Sequence, residues 1–305
     1  MSEVPAGKVP ILESIGVAYK YLAANWQRWI PACILLGGVS AWYQMQSVRT
    51  AIDASNGVNS GFTAFGVFCI FMLTSIVVGV GIYRHVIRDE YNPPIGIGFG
   101  IDEIRVLGVT LSLVLIFGIV GGFLAILLVA AASILVASSG LDPELASTNP
   151  DLFMEQFAAA LGTGNGPILL VIALLFLCGL IFVSVRLTFV TAATISEKRM
   201  MVFQTWSFAK GNFWRIVASL LLAIFPMVLV GGIIIGVTNL LILGGAAKDK
   251  LHEASLAQLF AVGSIEGFIN AVISIVSISL IAYLYKGLRP SDEELEALSK
   301  KASES

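Results

Sequence analysis

Few side chains in this 305-residue sequence could carry out acid–base, metal or redox chemistry. The two histidines, His85 and His252, are far apart in the chain, and we expect them in loops on opposite sides of a membrane. We find no Ser-His-Asp set and no His-rich metal motif. The three cysteines have no metal-ligand spacing and are typical of small apolar core residues; they are Cys33, Cys69 and Cys178. We therefore expect no catalytic residue, no metal and no cofactor.

The composition indicates which elements must position the remaining polar residues. Hydrophobic residues make up 57% of the chain and charged residues only 12%, whereas soluble domains contain about 25% charged residues. The 18 Lys and Arg are balanced by 20 Asp and Glu, so no net basic field exists to hold nucleic acid. This composition excludes an ordinary soluble enzyme and predicts a membrane protein with no nucleic-acid partner.

Six stretches are long and apolar enough to cross a hydrocarbon core of about 30 Å, which takes roughly 20 helical residues. They must be helices, because lipid offers no partner to unpaired backbone groups and the sequence lacks the alternation of barrel strands. We predict an all-α polytopic bundle of three helical hairpins, forming one membrane domain over 1–290 with a polar cytoplasmic tail over 291–305. The predicted spans lie near 30–48, 62–83, 105–138, 167–192, 213–243 and 264–286.

The distribution of basic residues predicts the orientation of these spans. With the N-terminus inside, fifteen of the eighteen Lys and Arg fall in internal segments, and only Arg49, Lys248 and Lys250 fall outside. The long external loop over 138–166 carries four acidic residues and no basic one. The positive-inside rule therefore places both termini in the cytoplasm, and we predict a bacterial inner-membrane protein.

A short pattern of an Asn or Asp followed three residues later by Arg precedes each odd-numbered span. Each Arg is predicted to reach lipid phosphates. The residues predicted to cap helices are Asn25, Asp102 and Asn212. We interpret the three matches as an internal repeat. The alternative is that membrane topology and chance produce them, because every internal helix end carries basic residues. The segment Arg84-His85-x-x-Arg88 suits anionic headgroups too, although as a plain topology determinant it needs no ligand. The predicted headgroup contacts are Arg28, Arg84, Arg88, Arg105 and Arg215.

Amphipathic segments flank the spans. Residues 11–24 and 199–210 each place apolar side chains on one helical stripe, which predicts two helices at the membrane surface, the second ended by Gly211. Outside, Asn149 and Pro150 are predicted to start a short helix that ends at Gly162. In the C-terminal tail, Ser291 and Glu294 fit a capping box.

The spans offer polar groups but no charge at mid-depth, where ion-coupled transport usually needs one. Asn270, Ser274 and Ser277 form a stripe on the last span, which favours helix packing by hydrogen bonds over a permeation path. Two Gly-x-x-x-Gly motifs, starting at Gly118 and Gly232, predict close helix contacts within the chain or between protomers.

Short motifs resemble a family of bacterial six-span inner-membrane proteins related to the membrane domain fused to some glycerophosphodiester phosphodiesterases. They are the segment from Gly100 to Gly108, Arg186 before an Ala-rich turn, the segment from Trp206 to Arg215, and Tyr285-Lys286-Gly287-Leu288-Arg289. The resemblance implies an envelope or lipid-related membrane module without site residues to carry over, and we expect no phosphodiesterase domain after residue 287.

Together these observations predict a non-enzymatic membrane protein that acts as a scaffold, an accessory subunit or a lipid-contacting subunit. Its expected partners are membrane lipids and either another membrane protein or a second copy. The alternative is a transporter or channel for an amphiphilic or apolar solute, with the stripe of Asn270 lining the path. An intramembrane enzyme is the third hypothesis.

Overall fold

The computed structural model describes residues 8–244, 255–289 and 291. Within these residues the chain is all helical and contains no strand, which confirms the predicted fold class. Most of the predicted tail over 291–305, including Glu294, and also His252, lie outside the described residues. The helices are α1 (Ile11–Ser55), α2 (Gly61–Arg88), α3 (Ile101–Ser139), α4 (Leu145–Thr148), α5 (Pro150–Leu161), α6 (Gly166–Arg186), α7 (Val190–Ser196), α8 (Phe213–Leu243) and α9 (Leu256–Leu288).

Five candidate membrane spans are long and apolar enough to cross a bilayer: α2, α3, the stretch from α6 through α7, α8 and α9. They are the helices of a multi-pass membrane protein. The predicted first span, 30–48, lies in the second half of α1, which does not count among the five. The helix α1 is continuous from Ile11 to Ser55 and Pro31 does not interrupt it. The predicted surface helix over 11–24 is therefore the N-terminal part of α1.

The chain divides into two compact units. The first comprises residues 1–109 and 187–305, and α9 is its central helix, packed against α1, α2 and α8. The second comprises Thr110–Arg186. Much of the apolar surface of the first unit is exposed, with Phe62 91% and Leu241 77% accessible. Lipid is the solvent that such a surface fits.

Glycines let α1 and α9 approach closely. A Cβ added to Gly267 would lie 2.9 Å from the Cα of Gly37, and one added to Gly263 would lie 2.8 Å from the Cα of Ala41. The Gly-x-x-x-Gly motif that makes a close helix contact is therefore the one over residues 263–267. The two predicted motifs do not make such contacts in the described structure, because a Cβ added at their four glycines meets nothing within 4 Å; these are Gly118, Gly122, Gly232 and Gly236.

The predictions for residues 199–210 and for Asn25 are wrong. Residues 199–210 contain no α-helix, only a 3₁₀ helix at Phe203–Ser207, because hydrogen bonds three residues apart, such as Phe208 N–H to the Thr205 carbonyl, replace the α pattern. Asn25 caps no helix, since it lies inside α1 and its amide donates to the Tyr21 carbonyl at 3.0 Å. The prediction assumed a break before the first span, and α1 has none.

The second unit contains the predicted outer helix as α5. The Asn149 side chain accepts a hydrogen bond from Leu152 N–H at 3.2 Å, Pro150 is the first helical residue, and Gly162 follows the last. These features confirm the predicted helix and its bounds; its location outside the membrane stays a prediction. A small cluster of buried side chains holds α5 against α3 and α6; it contains Leu135, Ala160 and Leu169.

In the first unit, the connector between α2 and α3 lies tightly on the bundle. Gly96 has φ +73°, and a Cβ there would lie 2.8 Å from the Trp29 ring. A Cβ added to Gly81 of α2 would lie 2.5 Å from the Gly96 carbonyl oxygen. The glycines of this connector therefore allow backbone to contact backbone.

Candidate functional site

Charged side chains of the first unit gather where α2 and α7 end and α3 begins. The Arg84 guanidinium pairs with the Glu103 carboxylate; the Glu103 side chain is buried and the Arg84 side chain is mostly buried. Glu103 also accepts a hydrogen bond from Gly100 N–H at 2.8 Å, so it satisfies a backbone donor at the start of α3. Arg84, predicted to contact lipid, has a protein partner that the sequence analysis did not identify.

Asp102 in the first turn of α3 joins two more of the predicted arginines. Its carboxylate accepts from Arg88 at 2.7 Å and from Arg105 at 3.0 Å. Arg88 also donates to the carbonyl oxygen of Ile195 in α7, which links α7 to α2. Asp102 thus bridges two guanidinium groups, which leaves these arginines fewer free N–H groups for a lipid.

Arg215 at the start of α8 donates to the carbonyl oxygen of Val9 at 3.1 Å. Asn212, predicted to cap α8, instead accepts from Val9 N–H at 3.1 Å, and no side-chain hydrogen bond caps the helix. These two contacts fasten the segment before α1 to the start of α8. Contact of Arg84, Arg88, Arg105 and Arg215 with lipid stays a prediction.

Arg28 differs from the other four arginines because its side-chain contacts are with aromatic rings; its side chain is exposed, as is that of Arg215. Its guanidinium lies 3.2 Å from His85 Nε2 and 5.9 Å from the centre of the Tyr91 ring. His85 lies in the last turn of α2 rather than in the predicted loop, and it is buried. On its other side, His85 Nδ1 lies 2.6 Å from the hydroxyl of Tyr21.

The Tyr21 hydroxyl is the centre of a buried hydrogen-bond chain. It accepts from the indole N–H of Trp29 at 3.2 Å. Burial raises the pKa of the Tyr21 phenol well above its ordinary value of about 10, so the group keeps its proton at neutral pH. Tyr21 and Trp29 are not recognisable as site residues from the sequence, because apolar periodicity marks such aromatic side chains as packing residues.

Three of these residues, Tyr21, Arg28 and His85, line a cavity of about 480 Å³ between α1, α2 and α9, here called the polar pocket. Arg28, Arg88 and Lys286 bring positive charge to it, and Asp89 brings negative charge. Lys286 donates to the carbonyl oxygen of Val86 at 2.8 Å. The lining residues are Tyr21, Asn25, Arg28, His85, Val86, Ile87, Arg88, Asp89 and Lys286. Such a pocket suits an anion.

Beyond α7, Glu197 forms a second charged junction with the end of α9. Its carboxylate accepts from Arg289 at 2.8 and 3.2 Å and from the Tyr285 hydroxyl at 2.9 Å. The hydrogen bonds from Arg289 lower the pKa of Glu197 below its ordinary value. This junction ties the chain after α7 to the central helix.

The predicted polar stripe on α9 lies beside a separate cavity of about 180 Å³ between α1, α2 and α9. Asn270 and Ser274 line it together with Ser40 of α1 and Ser75 of α2. The Ser274 hydroxyl donates to the Asn270 carbonyl oxygen at 2.8 Å, within its own helix. Ser277 is half-buried on the next turn.

Fold and site together define an all-helical, membrane-embedded protein. Its first unit has a polar pocket near the C-terminal ends of α2 and α9. No protein-family model, curated protein or solved structure matches the chain. The resemblance to the six-span membrane family stays a prediction. The described residues contain no group of His, Cys, Asp and Glu suited to a metal ion.

Proposed function

We propose that this chain is a non-enzymatic, multi-pass protein of a bacterial inner membrane, where it acts as a lipid-contacting scaffold or accessory subunit. One observation carries the proposal. In the first unit the long helices expose apolar side chains, whereas the pocket-lining cations collect near the C-terminal ends of α2 and α9. This division matches a hydrocarbon core bordered by anionic headgroups.

The proposal includes six spans, with residues 30–48 of α1 as the first. The spans then pair as three hairpins, and the repeated basic residues at the internal helix ends belong to a repeated unit. Both termini are cytoplasmic. In this orientation the polar pocket faces the cytoplasmic leaflet, where anionic lipids attract basic residues by about 1 kcal/mol each.

Membrane lipids are the first partner in this proposal, and another membrane protein or a second copy is the next. Exposed aromatic side chains support contact with such partners, because Phe62 and Trp214 are 91% and 78% accessible in the chain alone. Lipid, a protomer or a different subunit can each cover such side chains.

Topology is tested with single cysteines in a variant that lacks Cys33, Cys69 and Cys178. We expect an impermeant maleimide added to spheroplasts to label Asp151→Cys and to leave Lys210→Cys unlabelled until the cells are opened. Both positions are exposed, so access to the side chain alone does not distinguish them. The reverse labelling pattern would contradict the proposed orientation.

The scaffold role is tested by purification in mild detergent. We expect phospholipid to remain bound and either a second protein or a homo-oligomer to be recovered. A strictly monomeric protein that retains neither lipid nor protein would overturn this part of the proposal.

Transport of an amphiphilic or apolar solute is the second candidate function, and the 180 Å³ cavity favours it. A path through this cavity would admit water, so Ser274→Cys should react with a water-soluble maleimide in proteoliposomes. Ser279→Cys is the matched control, because Ser279 lies on the same helix and is fully buried. Equal protection of both cysteines would argue against a path.

A further inference from the structure

We propose that the polar pocket is a binding site for a phosphate group, held by Arg28, Lys286 and the hydroxyl proton of Tyr21. The inference deepens the proposed function, since it assigns the lipid contact to one pocket and to one chemical group. It rests on the hydrogen-bond geometry of the pocket and on the donors that remain free there.

The first step concerns the proton on His85. An arginine side chain has donors only, so the contact at 3.2 Å makes His85 Nε2 the acceptor. A neutral imidazole has one donor and one acceptor, and its proton must then lie on Nδ1. The Nδ1–H group consequently donates to the Tyr21 hydroxyl oxygen at 2.6 Å.

The second step concerns the hydroxyl of Tyr21. Its oxygen accepts from both His85 and Trp29, which uses its two lone pairs. Its own O–H proton is left over, because the Tyr21 hydroxyl has no third hydrogen-bond partner among the described residues. Tyr21 is buried and lines the polar pocket. A buried hydroxyl donor without an acceptor costs free energy, so the arrangement favours a ligand that supplies an acceptor oxygen.

The third step concerns the cations. An arginine has five N–H donors and a lysine three. The contact with His85 uses one donor of Arg28, and the Val86 carbonyl uses one donor of Lys286. The remaining donors can bind the oxygens of a phosphate, which accepts charge-assisted hydrogen bonds from both side chains.

Two features of the pocket oppose an anion, and both are offset. The C-terminal turn of α2 carries the negative end of the helix dipole, but Lys286 covers the Val86 carbonyl. Asp89 brings one negative charge, whereas Arg28, Arg88 and Lys286 bring three positive charges. Arg88 is already paired with Asp102, which leaves Arg28 and Lys286 to hold the ligand.

Phosphate oxygens have two sources here, a phospholipid headgroup and free inorganic phosphate. The test measures binding of phosphatidylglycerol and, separately, of inorganic phosphate to the purified full chain in detergent by native mass spectrometry and calorimetry. Binding of phosphatidylglycerol alone indicates a headgroup, and binding of both in competition indicates a general phosphate site. Binding of neither overturns the inference.

Variants then place the site. We expect Arg28→Gln and Lys286→Gln to weaken phosphatidylglycerol binding by about tenfold each, since each removes a charged hydrogen bond. Tyr21→Phe should weaken it by about threefold to tenfold. Arg199→Gln and Tyr19→Phe are matched controls, because Arg199 is exposed and does not line the pocket, and the Tyr19 hydroxyl donates to the Ala223 carbonyl outside it. We expect their binding to stay within about twofold of the original chain.

The controls also separate this inference from the proposed function. Equal losses of binding in Arg28→Gln and Arg199→Gln would mean a diffuse attraction of lipid to the basic residues of the first unit. The pocket would then be rejected, while lipid contact stands. Unchanged binding in Arg28→Gln and Lys286→Gln would reject the pocket as well. Thermal unfolding in the same detergent identifies any variant that fails to fold, and Arg28 is exposed, so its replacement keeps the test valid.

Discussion

The Glu103 carboxylate at the start of α3 is buried against the Arg84 guanidinium at the end of α2, with 1% and 13% of the two side chains exposed. A charge in such a place is stable only while its partner is present, because each ion has lost most of its water. The pair therefore joins α3 to α2 more firmly than a surface ion pair would.

Glu103→Gln should lower the free energy of unfolding by about 3 kcal/mol, since it leaves the Arg84 charge buried without a counter-ion. Unfolding in mixed detergent micelles measures the loss. Arg105→Gln is the control: its pair with Asp102 is more exposed, and we expect a loss of about 1 kcal/mol or less. Similar losses in the two variants would show that the Arg84–Glu103 pair contributes no more to the free energy of unfolding than the more exposed pair does.

Gly267→Ala should destabilise the first unit by about 1–3 kcal/mol, because the new Cβ would lie 2.5 Å from the Ser40 Cβ and force α1 away from α9. Gly232→Ala on α8 is the comparison. Its Cβ meets nothing within 4 Å, and alanine favours a helix interior by about 1 kcal/mol. Loss of stability at position 232, or none at 267, would contradict the assigned helix contact.

The sequence predicts structure well where the determinants are local. The helix α5 is bounded by Asn149, Pro150 and Gly162, whose effects act within one turn. The span predicted over 213–243 matches α8, because a long apolar run has few other outcomes in lipid.

Partners from distant parts of the chain were not predictable in the same way. Arg215 binds the carbonyl of Val9, more than two hundred residues away, and Arg88 binds the carbonyl of Ile195. Every residue has a backbone carbonyl, so the residue types do not reveal which carbonyl will accept a hydrogen bond. The two predicted Gly-x-x-x-Gly motifs have the same sequence pattern as the motif over 263–267, which contacts α1. Only the position of α9 beside α1 distinguishes them.

The Glu197–Arg289 junction predicts a loss of stability in acid. Because hydrogen bonds from Arg289 lower the pKa of the folded state, the contribution is complete above the unfolded pKa of about 4.3. It disappears as the pH falls through the lower pKa of the folded state. Melting temperatures measured from pH 7 to pH 3 should fall more steeply in the original chain than in Arg289→Gln, where the pKa returns toward its ordinary value. Parallel curves would contradict the pairing.

Gly96 and Gly57 have nearly the same backbone conformation, with φ of +73° and +74°, but different surroundings. Alanine at either position pays the left-handed penalty of about 1–2 kcal/mol. At Gly57 the new Cβ meets nothing within 4 Å, whereas at Gly96 it would lie 2.7 Å from the Tyr91 ring and 2.8 Å from the Trp29 ring.

The loss of stability in Gly96→Ala should therefore exceed that in Gly57→Ala by about 1–3 kcal/mol, the usual cost of overpacking. Unfolding of both variants in the same micelles measures the difference. Because Trp29 also donates to Tyr21, displacement of its ring should alter the polar pocket and weaken phosphatidylglycerol binding in Gly96→Ala alone. Equal losses of stability in the two variants would show that the connector does not press on Trp29, and that the ring is positioned by α1 itself.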